Sequence, residues 1–276
     1  MIPATSHSGE RGIHESCANT SASLRRERDS STGSHVRRIA IHQPNYAPWI
    51  GYFSKMATAD TFIFLDDCRM PLGRSYVSRV RVRERTTSRW LTVPIQRRAG
   101  ELVGDVRFAD RAWPRKHLAT MRANYGRCPF FDSVMAIIAP IYHDPGDRLA
   151  HFNIRLIQAL GKFVGITPEF RLASELACAY TGTQRLVDIV QRVGGTVYVS
   201  GAGGAKYQEP AMFESAHIQL EMRRYHPVPY RQQGAPFTAG LSILDALFNV
   251  GPAARHVLRY DPVAPPLPTP GEPRQA

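Results

Sequence analysis

Three clusters of side chains in this sequence have the types that proton transfer and anion binding require. The first is His42-Gln43-Pro44-Asn45-Tyr46-Ala47-Pro48-Trp49. An imidazole, with an ordinary pKa of about 6.5, suits a general base or a phosphate contact. Gln43 and Asn45 add amide groups, and Tyr46, Trp49 and Tyr52 add faces for stacking on a sugar or base. The second cluster is Asp66-Asp67. Adjacent residues on a strand end point to opposite sides, so one carboxylate enters a given cleft. There it can orient His42, bind a sugar hydroxyl or hold Mg²⁺. The third is Ser200-Gly201-Ala202-Gly203-Gly204-Ala205-Lys206-Tyr207. Its glycines let backbone N–H groups approach an anion, and Lys206 would neutralise a phosphate. The run lacks the spacing of a Walker loop or a dinucleotide fingerprint, so a plain tight turn competes with that reading. For His42 the competing reading is a buried histidine satisfied by backbone. No Cys or Ser stands in a recognisable nucleophile setting, which argues against a covalent enzyme.

Each cluster follows a short apolar run. Ile39–Ile41, a helical pattern over Tyr52–Ala59 and Phe62–Leu65 read as strand, helix and strand. Such strands lie parallel with a right-handed crossover, and open parallel sheets place their chemistry beyond the strands' carboxyl ends. Thr196–Val199 is a further strand that runs straight into the glycine-rich turn. His42 is therefore expected at a carboxyl edge, with Asp66 or Asp67 arriving from the neighbouring strand to raise the imidazole pKa.

The predicted fold class is α/β: an open, mainly parallel sheet with flanking helices, nucleotidylyl-transferase-like or Rossmann-like, carrying an antiparallel β insertion and a helical middle segment. The expected layout is a disordered leader over 1–36, a single domain over 37–260 and a flexible Pro-rich tail over 261–276. The insertion, 69–108, holds strands around Tyr76–Val82 and Trp90–Ile95 and a third at Val103–Phe108. It is rich in arginine, and Arg74 and Arg79 are candidates for a clamp on an anionic substrate, since guanidinium forks grip phosphate bidentately. The bland alternative is a solvated ribbon face. Residues 113–164 carry three helical stripes, opened by Trp113-Pro114 and closed by Gly165. Glu169–Ala173 reads as a strand. Thr183 should cap a helix stopped by Gly194-Gly195, His217–Met222 should form an edge strand, and Ser242 with Asp245 should form a capping box.

Composition narrows the function classes. No run of about 18 apolar residues is present, so no membrane-spanning helix is expected. The four cysteines are scattered without a CxxC pair, so a zinc site and a disulfide framework are not indicated, and a cytoplasmic location fits. The net charge of +12 favours an anionic or phosphorylated small-molecule substrate, with nucleic acid as a less favoured partner. Part of that charge lies in the first 38 residues.

His42-Gln43-Pro44-Asn45-Tyr46 with Pro48-Trp49 and Gly51-Tyr52-Phe53 resembles the opening motif of the WbqC-like proteins. Phe64-Leu65-Asp66-Asp67, Trp90–Pro94, Ser200-Gly201 with Gly203-Gly204 and Tyr207, and Leu241–Asp245 with Phe248-Asn249 follow in the same order. The resemblance covers about residues 38–251. It implies a bacterial surface-polysaccharide or O-antigen setting, and a transferase that attaches glycine or a related acyl group to an amino sugar. An aminoacyl or acyl transferase, or a nucleotide-dependent ligase using ATP with Mg²⁺, fits that implication. Arg69 stands where the family tends to have Gln, and Ser78 and Val80 where it tends to have Asn; if those positions touch substrate, a different substrate is expected. The other class of function is a non-catalytic protein that binds an anionic partner, nucleotide or RNA, through the basic insertion.

Overall fold

A computed structural model describes residues 36–204, 207–234 and 236–258, together with the backbone of 261–262. The expected leader, apart from Val36, lies outside the described residues, as does the tail beyond Pro262; so does Lys206.

The chain enters a sheet with β1 (Arg38–His42), crosses through α1 (Ile50–Ala57) and returns as β2 (Thr61–Phe64). β1 and β2 are parallel, with Ile39 opposite Thr61 and His42 opposite Phe64. β3 (Arg79–Glu84) and β4 (Thr87–Thr92) then form a separate antiparallel hairpin. Three helices follow, α2 (Trp113–Tyr125), α3 (Phe131–His143) and α4 (Leu149–Phe163). Pro114 sits in the first turn of α2, where its missing N–H does no harm, and Gly165 takes the left-handed φ of +70° that ends α4. β5 (Glu169–Leu172), α5 (Gly182–Arg192), β6 (Val197–Gly201), α6 (Pro210–Ser215), β7 (Gln219–Arg224), α7 (Ile243–Val250) and β8 (Asp261–Pro262) complete the order. The sheet runs β5-β2-β1-β6-β7-β8, parallel except for β8. This is the expected α/β class, with the antiparallel insertion and the helical middle in place.

Strand alternation divides the core. Ala40, Phe62, Phe64, Val197 and Val199 face α1–α4, α7 and the hairpin, while Ile39, Ile41, Ile63 and Tyr198 face α5 and α6. β1 is therefore central, with β2 on one side and the much later β6 on the other. That is a topological switch point, where open α/β sheets leave a crevice.

Four local expectations are corrected. Val103–Phe108 is not a strand: Val103–Asp105 is a 3₁₀ turn, and its N–H groups are used on Asp66 O (from Gly104, 2.7 Å) and Cys68 O (from Val103, 2.9 Å). Thr183 is not the cap of α5, which starts one residue earlier. Its hydroxyl donates to Tyr207 O at 3.3 Å and accepts from Glu209 N at 3.2 Å. Ser242 does cap α7, accepting from Leu244 N at 3.2 Å. Asp245 closes no capping box, because the Ser242 amide already donates to Arg81 O at 2.8 Å. Its carboxylate instead accepts from Tyr230 Oη and Gln232 Nε2. Finally, β7 is an edge strand only in part: among the described residues its positions 219–222 have no outer neighbour, while β8 pairs with Arg223 and Arg224.

Candidate functional site

His42 closes β1, and its side chain shares the face of Ala40, towards α1. The ring lies 4.6 Å from that of Tyr52, and Nδ1 is 3.1 Å from the Gln43 carbonyl. A carbonyl can only accept, so Nδ1 carries the proton and Nε2 keeps its lone pair. The Tyr52 hydroxyl donates to the same carbonyl at 3.1 Å. Burial, followed by the nearby Lys55 ammonium, lowers the His42 pKa to about 3, against a smaller raising effect of the Gln43 carbonyl.

Lys55 did not stand out in the sequence. It lies one helical turn beyond Tyr52 on α1, is almost fully buried, and donates from Nζ to Ile41 O at 2.8 Å. The β1–β6 register closes at Ala40 opposite Val199, so Lys55 reaches the next exposed β1 carbonyl at the switch point. Its Nζ is also 5.9 Å from the Tyr198 ring centroid. Burial lowers its pKa to about 7. The signal that could have found it is a cationic residue at the i+3 position from Tyr52, on a helix face that is otherwise apolar.

The expected carboxylate–imidazole pair is not formed. Asp66 turns to Ser174, accepting from its N at 3.0 Å and its Oγ at 2.6 Å, and so fastens the end of β2 to the turn after β5. Asp67 is ion-paired with Arg185 of α5. The His42 pKa accordingly moves down, where a facing carboxylate would have raised it. Mg²⁺ held by these carboxylates would have to displace Ser174 or Arg185, so the pair does not fit a Mg²⁺–ATP site. Among the described residues no group of three His, Cys, Asp or Glu side chains could hold a metal ion.

The rest of the first motif is tied into the fold. Tyr46 is fully buried, with its hydroxyl 2.8 Å from His117 Nδ1 and 2.6 Å from Tyr142 Oη. It has no free face for a ligand, which corrects its expected stacking role. Asn45 is buried too, and Gln43 Nε2 donates to Cys68 Sγ at 3.1 Å. Trp49 lies over Gly51, where an added Cβ would come within 2.3 Å of the indole, and meets Tyr225 edge-on at 5.3 Å. Asn153 of α4 donates to Pro44 O and Val77 O, both at 2.8 Å. Ser242 Oγ donates to Ala47 O at 2.6 Å, and Ala47 is held at φ +39°. A left-handed non-glycine residue persists only where its surroundings over-determine it.

Residues 43–257 match the WbqC-like protein family. The chain belongs to that family. A relative from Mycobacterium tuberculosis (strain ATCC 25618 / H37Rv), described there as uncharacterized protein Rv1507c, is 31% identical over 229 residues, covering 82% of this chain and 99% of the relative. No solved structure matches. Among the described residues no helix is long and apolar enough to cross a membrane.

In this WbqC-like chain the glycine-rich turn follows β6 on the same edge as His42. Ser200 and Gly201 pair with Met222 and Arg223 of β7, and Gly204 N donates to Gly201 O at 2.9 Å. A Cβ at Gly204 would meet Ser200 Oγ at 2.7 Å, whereas one at Gly203 would meet nothing within 4 Å. Tyr207 is 80% exposed. The structure thus brings His42, the Asp66–Asp67 pair and Ser200–Gly204 to one sheet edge. It leaves Arg74 exposed in a loop, and stacks the Arg79 guanidinium 3.9 Å above the Trp90 ring. Two concave regions stand out elsewhere, one between α2 and α3 and one beside Trp49, and neither is lined by His42 or the glycine turn.

Proposed function

We propose that the chain is a transferase that joins an acyl group, such as the amino acid glycine, to the amine of an amino sugar or similar small molecule in surface-polysaccharide biosynthesis. The observation that carries this reading is the pair of nitrogen bases at the switch point, His42 and Lys55. Among the described residues neither is paired with a carboxylate, and burial holds both below their ordinary pKa values. In the transfer, the acceptor amine attacks the carbonyl of an activated acyl ester or anhydride. The C–N bond forms, the bond to the leaving group breaks, and the amine gives up one proton. A base serves best when its pKa lies near the working pH, so Lys55, at about 7, suits that proton. His42 Nε2 stays neutral and accepts a hydrogen bond from the amine. The backbone N–H of Gly203 is the candidate for the developing oxyanion, since that of Gly204 already donates to Gly201 O.

Binding of RNA or a nucleotide through the hairpin has less support. Arg81 donates to Ser88, Arg89 pairs with Glu84, and Arg83 is buried with its guanidinium on Arg85 O, Gln232, Pro236 O and Thr238. Incubating the full chain with an activated glycyl donor, glycyl adenylate or a glycyl thioester, and amino sugars should give a glycylated sugar by mass spectrometry. His42→Ala should abolish it while the fold is kept. Product formed at the wild-type rate by a folded His42→Ala protein would overturn the assignment.

A further inference from the structure

The groove between α2 and α3 has a volume of about 730 Å³, within the ~300–1,000 Å³ range of small-molecule sites. Arg111, Arg115 and Arg122 stand along it, and Leu118, Met135 and Ala139 supply its aliphatic surface. Among the described residues no carboxylate lines it. The arginines of the same helical region are elsewhere neutralised: Arg107 pairs with Asp147, Arg148 with Asp105 and Arg155 with Asp144. Among the described residues the three groove arginines form no ion pair. Arg111 donates to Gly146 O at 3.2 Å, and Arg122 lies 5.5 Å from the Phe131 ring centroid. Unpaired guanidinium groups around an apolar surface match a ligand with an anionic head and an aliphatic body. A nucleotide would ask for a free aromatic face. The ring of Tyr142 at this groove is 1% exposed and is held by its hydrogen bond to Tyr46.

We propose that this groove binds a phosphate ester of an aliphatic chain, at a site separate from the sheet edge. Tyr142 and Tyr46 join the groove wall to the His42 motif loop. The inference does not depend on the transfer reaction.

The test is calorimetric titration of the full chain with octyl phosphate, inorganic phosphate, octanol and AMP, with the Met135 methyl resonance as a reporter inside the groove. Octyl phosphate should bind and shift Met135, and the other probes should bind at least tenfold more weakly. The double variant Arg115→Glu/Arg122→Glu should weaken octyl phosphate at least tenfold, and Ala139→Trp should do so by filling the space without changing charge. Arg98→Glu, on the exposed loop after the hairpin, should change little. Inorganic phosphate matching octyl phosphate would reduce the site to an adventitious ion only. Tighter AMP binding would make it a nucleotide site. Undiminished binding in either groove variant would place the ligand elsewhere, and each of these results overturns the proposal.

Discussion

The loop after β1 and the turn after β6 leave the sheet on the same edge and were equally suggestive as sequence, yet they are built in opposite ways. The first is clamped from all sides: Asn153 holds Pro44 O, Tyr76 O receives the Tyr46 amide, and Ser242 holds Ala47 O. The second is open at Gly203, where an added Cβ would meet nothing within 4 Å, and at the exposed Tyr207, although Gly204 packs against Ser200 and Gln208. A functional site needs both properties. His42 must be held still, whereas a backbone that wraps an anion must be reachable. The contrast also shows why a run such as His-Gln-Pro-Asn-Tyr-Ala-Pro-Trp is informative without most of it being chemistry. Tyr46 and Trp49 fix the loop, and His42 with the unannounced Lys55 remains at its base.

Substitutions can break this contrast, and the largest effect belongs to the clamp. Asn153→Ala leaves the buried Pro44 and Val77 carbonyls without their shared donor, and should destabilise the protein by about 2–4 kcal/mol in denaturant unfolding. Gly51→Ala forces the Trp49 indole off α1, at a cost of about 1–3 kcal/mol and with a changed tryptophan emission.

Lys55→Met should act in the reverse sense, because it removes a buried ammonium that has no carboxylate partner. It should raise stability at pH 6 by about 1–2 kcal/mol while the transfer activity falls. The pH dependence has a definite sign. With the folded pKa lowered from 10.5 to about 7, the unfolded chain binds more protons between those values. Wild-type stability should therefore carry a rising contribution from pH 7 upward, and Lys55→Met should lose it. An identical pH profile in the variant would mean that Lys55 reaches solvent. The smallest effect is expected at the open turn: Gly203→Ala should change the melting temperature hardly at all, within about 0.5 kcal/mol. If it destabilised as much as Asn153→Ala, the two regions would not differ in the way described.

Much of the architecture was legible because it follows from local pattern. Apolar runs of strand length, the 3.6-residue stripes of 113–164, Pro114 at a helix start and Gly165 at a helix end are each decided within a few residues. So was the placing of His42, Asp66 and Ser200 at strand ends, together with the parallel order that puts those ends on one edge. The partners of each polar side chain were not legible. Asp66 sits beside His42 in any reading of neighbouring strands, yet Ser174, 108 residues further on, takes both its oxygens. Asp245 lies at the right spacing for a capping box, yet Arg81 O had already taken the amide it would have served. Lys55 looked like an ordinary helix cation until the β1–β6 crevice enclosed it. Periodicity fixes which face a residue occupies. Only the long-range packing of α4, α5 and α7 against the β1 loop and the strand ends decides which donor meets which acceptor, because that depends on segments a hundred residues apart arriving within hydrogen-bond reach.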